Sequence, residues 1–117
     1  RLIYDTLLDI LVEAEDAAKA GIHTSDLTDR AVRTLEGRGL ERALATLIFH
    51  PIGLRVFDYG SLEGAANGWR LESGTVLNFE VFYRDPDVGG IHVEDSIVIS
   101  QRGNSRLGAL DRSMYVC

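Results

Sequence analysis

Cysteine is almost absent from this chain. Of its 117 residues only Cys117, the last, carries a thiol. No internal disulfide is available as a staple, which suits a reducing, cytoplasmic setting. A basic excess is also missing: acidic residues outnumber Lys and Arg by 18 to 12 and the net charge is −6. Without a basic stripe, nucleic acid is a poor candidate partner. Apolar runs are short. The longest, around Ala43 to Phe49, falls far below the roughly 20 residues that cross a bilayer, and no secretory signal pattern is visible. No membrane partner is expected. The chain opens at Arg1-Leu2-Ile3 without an initiator methionine or a leading linker, which raises the expectation that it continues a longer polypeptide. What remains is an ordinary globular balance, 45% hydrophobic and 26% charged, in a chain long enough to bury a core.

Periodicity divides the chain into a helical first third and a strand-rich remainder. Ile3, Leu7, Leu11, Ala14 and Ala18 make one apolar stripe and predict a helix over 2–20, ended by Gly21. Thr24-Ser25-Asp26 offers a side-chain cap to a second helix, whose stripe is Leu27, Ala31, Val32 and Leu35 and whose stops are Gly37 and Gly39. The stretch from Leu40 to Ile48 is ambiguous, with Thr46 to Phe49 strand-like. Residues 53 to 74, with glycines at 53, 60, 64, 68 and 74, read as a long irregular connection of the kind usually reserved for function or motion. Two strands follow, Thr75 to Tyr83 and Ile91 to Ser100, joined as a hairpin by a wide loop from Arg84 to Gly90.

A loop centred on Asp87 pairs Glu80 with Glu94, Phe82 with His92 and Asn78 with Ser96. In that register Leu77, Phe79, Val81, Val93, Ile97 and Ile99 share one face, and the polar residues share the other. Two carboxylates then stand directly opposite, which is unfavourable unless a shared proton, an arginine or a metal ion compensates. Asp95 falls on the apolar face without explanation. Singly these residues are ordinary: a strand glutamate is usually solvated, and a histidine after an apolar run such as Leu47-Ile48-Phe49-His50 is usually packed. In combination, one histidine and two glutamates from three strands form a hard nitrogen and oxygen donor set suited to Mn, Zn, Co or Fe.

The segments FHPIGL, LESGTVLNFEVFY and GGIHVEDSIVIS, in that order, resemble the second half of the pita-bread metallopeptidases. That group includes methionine aminopeptidase, prolidase, Xaa-Pro aminopeptidase and the non-peptidase creatinase. AAKAGIHTSDL resembles the family's helix, glycine turn and second helix, so the likeness covers nearly the whole chain; GGIHVED looks most like the prolidase and Xaa-Pro aminopeptidase branch. The resemblance implies an α+β fold, with two N-terminal helices packed on a curved, mainly antiparallel sheet, half of a pita-bread fold over residues 1–117. It implies that His50, Glu80 and Glu94 are metal ligands, that Glu80 also handles the proton of the attacking water, and that His92 lies near the substrate. Two divalent ions, Mn, Co or Zn, would serve the complete enzyme.

Four positions depart from the family pattern. Pro51 follows His50 where glycine is usual. Phe57 stands where a second histidine binds substrate, and phenylalanine can neither donate a hydrogen bond nor transfer a proton. Asp58 replaces a frequent glutamate, and Val81 replaces the proline after the first glutamate. The family's two aspartate ligands lie on strands before the first helix, and Asp5 and Asp9 are helical positions that cannot replace them. The leading expectation is therefore a prolidase-like or Xaa-Pro aminopeptidase-like half-domain whose own site is empty or weakly occupied. Its substrate would be a peptide with proline at the second position, and its partner a complementing N-terminal half or a second copy in a homo-oligomer. A non-catalytic binding module and a creatinase-like C–N hydrolase are the alternatives.

Overall fold

The computed structural model describes residues 1–54, 68–87 and 89–114. Two helices, α1 (Leu2–Ala17) and α2 (Thr24–Gly37), precede a short 3-10 helix, Glu41–Thr46. Four strands follow, β1 (Ile48–Pro51), β2 (Val76–Asp85), β3 (Gly89–Ile99) and β4 (Asn104–Arg106). They form one antiparallel sheet in the order β1-β2-β3-β4. This is the α+β architecture anticipated above. No helix among the described residues is long and apolar enough to cross a membrane.

The core lies between the helices and one face of the sheet. Leu7, Ile10, Leu11 and Ala14 from α1 and Leu27, Ala31 and Leu35 from α2 are buried, together with Leu77, Phe79, Val81, Val93, Ile97 and Ile99. Phe49 of β1 meets Phe79 edge to face, with ring centroids 5.0 Å apart, a favoured aromatic geometry.

Three local expectations are corrected. First, α1 stops at Ala17, short of residue 20. Asn104, at the start of β4, donates its side-chain amide to the carbonyls of Glu15 (2.6 Å) and Ala18 (2.8 Å). Those carbonyls are satisfied by a distant residue, so the helix need not continue. Second, the residue before α2 is His23, and no side chain caps the helix. Thr24 turns inward instead: its hydroxyl accepts the Trp69 N–H at 2.9 Å, and its own N–H donates to the Trp69 carbonyl at 2.8 Å. Gly68, at φ +63°, packs directly on His23 and Thr24, an approach that a side chain would obstruct. This anchors the end of the long connection; residues 55 to 67 lie outside the described ones. Third, the hairpin loop is tight. β2 runs to Asp85 and β3 starts at Gly89, because the Asp85 carboxylate accepts the Asp87 N–H at 2.8 Å and Gly89 adopts φ +94°, open to glycine at no steric cost.

Asp95, the misfit on the apolar face, is paired. Arg106 Nε lies 3.0 Å from its Oδ2, and Arg112 Nη2 lies 2.7 Å from the same oxygen. Arg112 also donates to Glu15 of α1, and its carbonyl accepts the Tyr4 hydroxyl at 2.9 Å. Burial pulls the pKa of the Arg112 guanidinium down, but hydrogen bonds and charges from Glu15 and Asp95 outweigh it, so the net shift is upward. One arginine thus ties the C-terminal segment to α1 and β3. Arg112→Ala should lower the unfolding free energy by about 1–3 kcal/mol, the cost of leaving largely buried charged partners unsatisfied. Arg1→Ala, which breaks only the exposed 3.6 Å contact with Asp5, should change it by about 0.5 kcal/mol or less. Urea midpoints at constant m-value measure both. Equal losses for the two variants would show that the cluster does not hold the tail.

A candidate metal centre on the open face of the sheet

The polar face of the β2–β3 hairpin lies opposite the helices. Glu80 pairs with Glu94, Phe82 with His92 and Asn78 with Ser96, the register inferred from the alternation of residues. β1 adds His50, which pairs with Asn78. Parity does the rest: Phe49 points into the core and His50, one residue on, points to the polar face.

Glu80, His92 and Glu94 each offer one donor atom, and the three atoms lie within 4.8 Å of one another. His92 Nε2 is 3.5 Å from Glu80 Oε2 and 3.6 Å from Glu94 Oε2. The imidazole is held from the side by its cross-strand neighbour: the Phe82 and His92 rings stack with centroids 3.7 Å apart and planes 14° from parallel. The Glu80 side chain is largely buried and that of Glu94 half-exposed. Two carboxylates and an imidazole, open to solvent on one side, are chemically suited to a divalent cation.

His50 is brought to the same face but not into this group. It is buried, and its Nε2 lies 3.1 Å from the side-chain nitrogen of Asn78. That nitrogen also donates to Glu94 Oε1 at 2.9 Å. The Asn78 oxygen accepts the Ser96 hydroxyl at 2.7 Å, and His50 Nδ1 lies 3.4 Å from the Pro51 carbonyl. The set expected from the sequence, His50 with Glu80 and Glu94, is therefore divided. The glutamates cluster with His92, the residue expected beside substrate, and His50 stands one hydrogen-bonded residue away. Asn78 and Ser96 carry no candidate role in the sequence, yet they link His50 to Glu94. Their facing positions in the register were the available signal. Val81 is buried in the core and carries β2 onward to Asp85, which a proline at that position would interrupt. Phe57 and Asp58 lie outside the described residues.

The chain has known relatives. The sequence model of metallopeptidase family M24 matches residues 1–101. The Xaa-Pro dipeptidase of Pyrococcus horikoshii is 27% identical over 112 residues, which is 96% of this chain and 32% of that protein. In structure, the prolidase from Pyrococcus horikoshii superposes with a TM-score of 0.86 at 26% identity, over 97% of this chain and 32% of the other. The prolidase from Pyrococcus furiosus gives 0.84 at 25% identity, over 95% and 33%. The chain thus spans about a third of the length of the relatives it matches. With two helices backed on one antiparallel sheet, it has half of their pita-bread fold, and it belongs to metallopeptidase family M24.

Proposed function

We propose that residues 1–117 form the C-terminal half of a metallopeptidase catalytic domain, supplying the histidine and glutamate side of a divalent-metal centre that acts on peptides with proline at the second position. The observation that supports this most directly is the convergence of Glu80, His92 and Glu94 within 4.8 Å on one sheet face. In this reading Glu80, Glu94 and His50 are ligands in the assembled centre. Glu80 is also the proton acceptor, a role suited to a largely buried carboxylate on the site's inner side. His92 borders the substrate, its Nε2 3.5 Å from Glu80 and 3.6 Å from Glu94. The bound ions, Mn, Co or Zn, would supply Lewis-acid activation of water and of the scissile carbonyl.

The same reading makes the chain inactive by itself. It spans about a third of its relatives, and its own residues supply only one side of the centre. Among the described residues the outer strands are β1 and β4, and these are where a complementing half or a second copy would pair, since an open strand edge invites such pairing. A second reading, a binding module without catalysis, draws support from Pro51 after His50 and from the hydrogen bonding of His50 to Asn78 rather than to the cluster. A creatinase-like specificity is separated from the leading one by profiling Xaa-Pro dipeptides against guanidino compounds.

Calorimetric titration of the metal-free chain with Mn, Co and Zn tests the centre. Saturable binding is expected, weakened at least about tenfold by Glu94→Gln. No binding of any of the three ions would remove the metal reading and leave the binding module. Metal-free stability should move the opposite way: at about pH 8, Glu80→Gln relieves a cross-strand repulsion and should raise the unfolding free energy by about 0.2–1 kcal/mol. A loss of stability instead would mean that Glu80 is a structural residue. With Mn or Co added, the chain alone should not hydrolyse a Xaa-Pro dipeptide, and sedimentation should show self-association. A monodisperse monomer that cleaves the dipeptide would overturn the half-site reading.

A further inference from the structure

The carboxamide of Asn78 is fully buried, and its chemistry fixes its orientation. An amide nitrogen only donates. Here it has two partners, Glu94 Oε1 at 2.9 Å and His50 Nε2 at 3.1 Å. Flipping the amide would set its oxygen against a carboxylate oxygen, so the nitrogen belongs on the Glu94 side. The Ser96 hydroxyl, 2.7 Å from Asn78 Oδ1, holds the amide from its other end. Donation by the amide makes His50 Nε2 the acceptor of that contact, and Nδ1 lies 3.4 Å from the Pro51 carbonyl. A single NH₂ group thus engages both His50 Nε2 and Glu94 Oε1.

A cation would seek the same two atoms. We propose, building on the metal reading above, that Asn78 is an intramolecular competitor for the cation. Its amide takes up the donor atom of His50 and one oxygen of Glu94, so that a divalent ion entering this face engages the Glu80, His92 and Glu94 group while His50 stays with Asn78. His50 joins only when the amide turns away. Asn78 is thus a positioning residue that sets which histidine meets the metal. The division of the site into a ready cluster and a withheld imidazole is the geometry it produces: three donor atoms lie within 4.8 Å and His50 is not among them.

The test follows the two imidazoles by NMR while the metal-free chain is titrated with Zn, and measures the affinity by calorimetry. In the wild type His50 should show the Nδ1-protonated tautomer, Zn should shift the His92 nitrogens, and the His50 nitrogens should stay in place. In Asn78→Ser, whose shorter side chain cannot bridge both partners, Zn should shift both rings and Kd should fall about tenfold, the scale of changes around metal ligands. Ser96→Ala, which releases the far end of the amide, should give a smaller gain in the same direction. Equal affinity in wild type and Asn78→Ser, or His50 shifting together with His92 in the wild type, overturns the proposal while leaving the metal site standing. If Asn78→Ser fails to fold, the wild-type titration and Ser96→Ala still decide. No Zn binding by wild type or variants overturns the metal reading itself, and this inference with it.

Discussion

The register of β2 on β3 is the constraint on which everything else here depends. Side chains alternate with a period of two, so a slip of one residue would send Phe79, Val81 and Ile97 to the polar face and press Glu80, His92 and Glu94 against α1. Each large apolar side chain so exposed would forfeit about 1.5–3 kcal/mol of burial, before the cost of burying charge. The register is pinned at both ends: by the Asp85 carboxylate and Gly89 at the turn, and by the arginines on Asp95 and the β4 pairing beyond it. β1 then inherits its parity from β2, and this is why Phe49 packs on Phe79 while His50 faces Asn78.

What could be read in advance follows the same division. The helix stripes and the hairpin register are properties of near neighbours, and the sequence displays them directly. The pairing of Glu80 with Glu94 was legible for that reason. Features decided by distant residues were not. Thr24 looks like a helix cap and serves Trp69 instead. The end of α1 depends on Asn104, and the place of Asp95 on the helix-facing side of the sheet depends on Arg106 and Arg112. No periodicity connects residues so far apart. The position of His50 was hidden in another way. Its strand and face were readable, but its separation from the cluster goes with the Asn78 amide that meets both His50 and Glu94, a side-chain contact that spacing does not encode.

Glu94 and Asp95 are adjacent on β3 and show two different ways of handling a carboxylate. Asp95, turned toward the core, draws two guanidinium groups at 2.7–3.0 Å, the charge-assisted contacts that make a buried acid tolerable. Glu94, turned to the open face opposite Glu80, has no arginine or lysine within ion-pair distance among the described residues. It has a neutral amide at 2.9 Å and an imidazole at 3.6 Å, beyond hydrogen-bond length. The chain has 12 Lys and Arg residues, and a cation opposite Glu80 would have relieved the repulsion at little cost. A fold that neutralises one acid so thoroughly and leaves its neighbour without an arginine or lysine partner among the described residues departs from a local rule there, as functional sites commonly do. Among the described residues no arginine or lysine stands within ion-pair distance of Glu80 or Glu94, and this is the physical argument for a cation supplied from outside the pair.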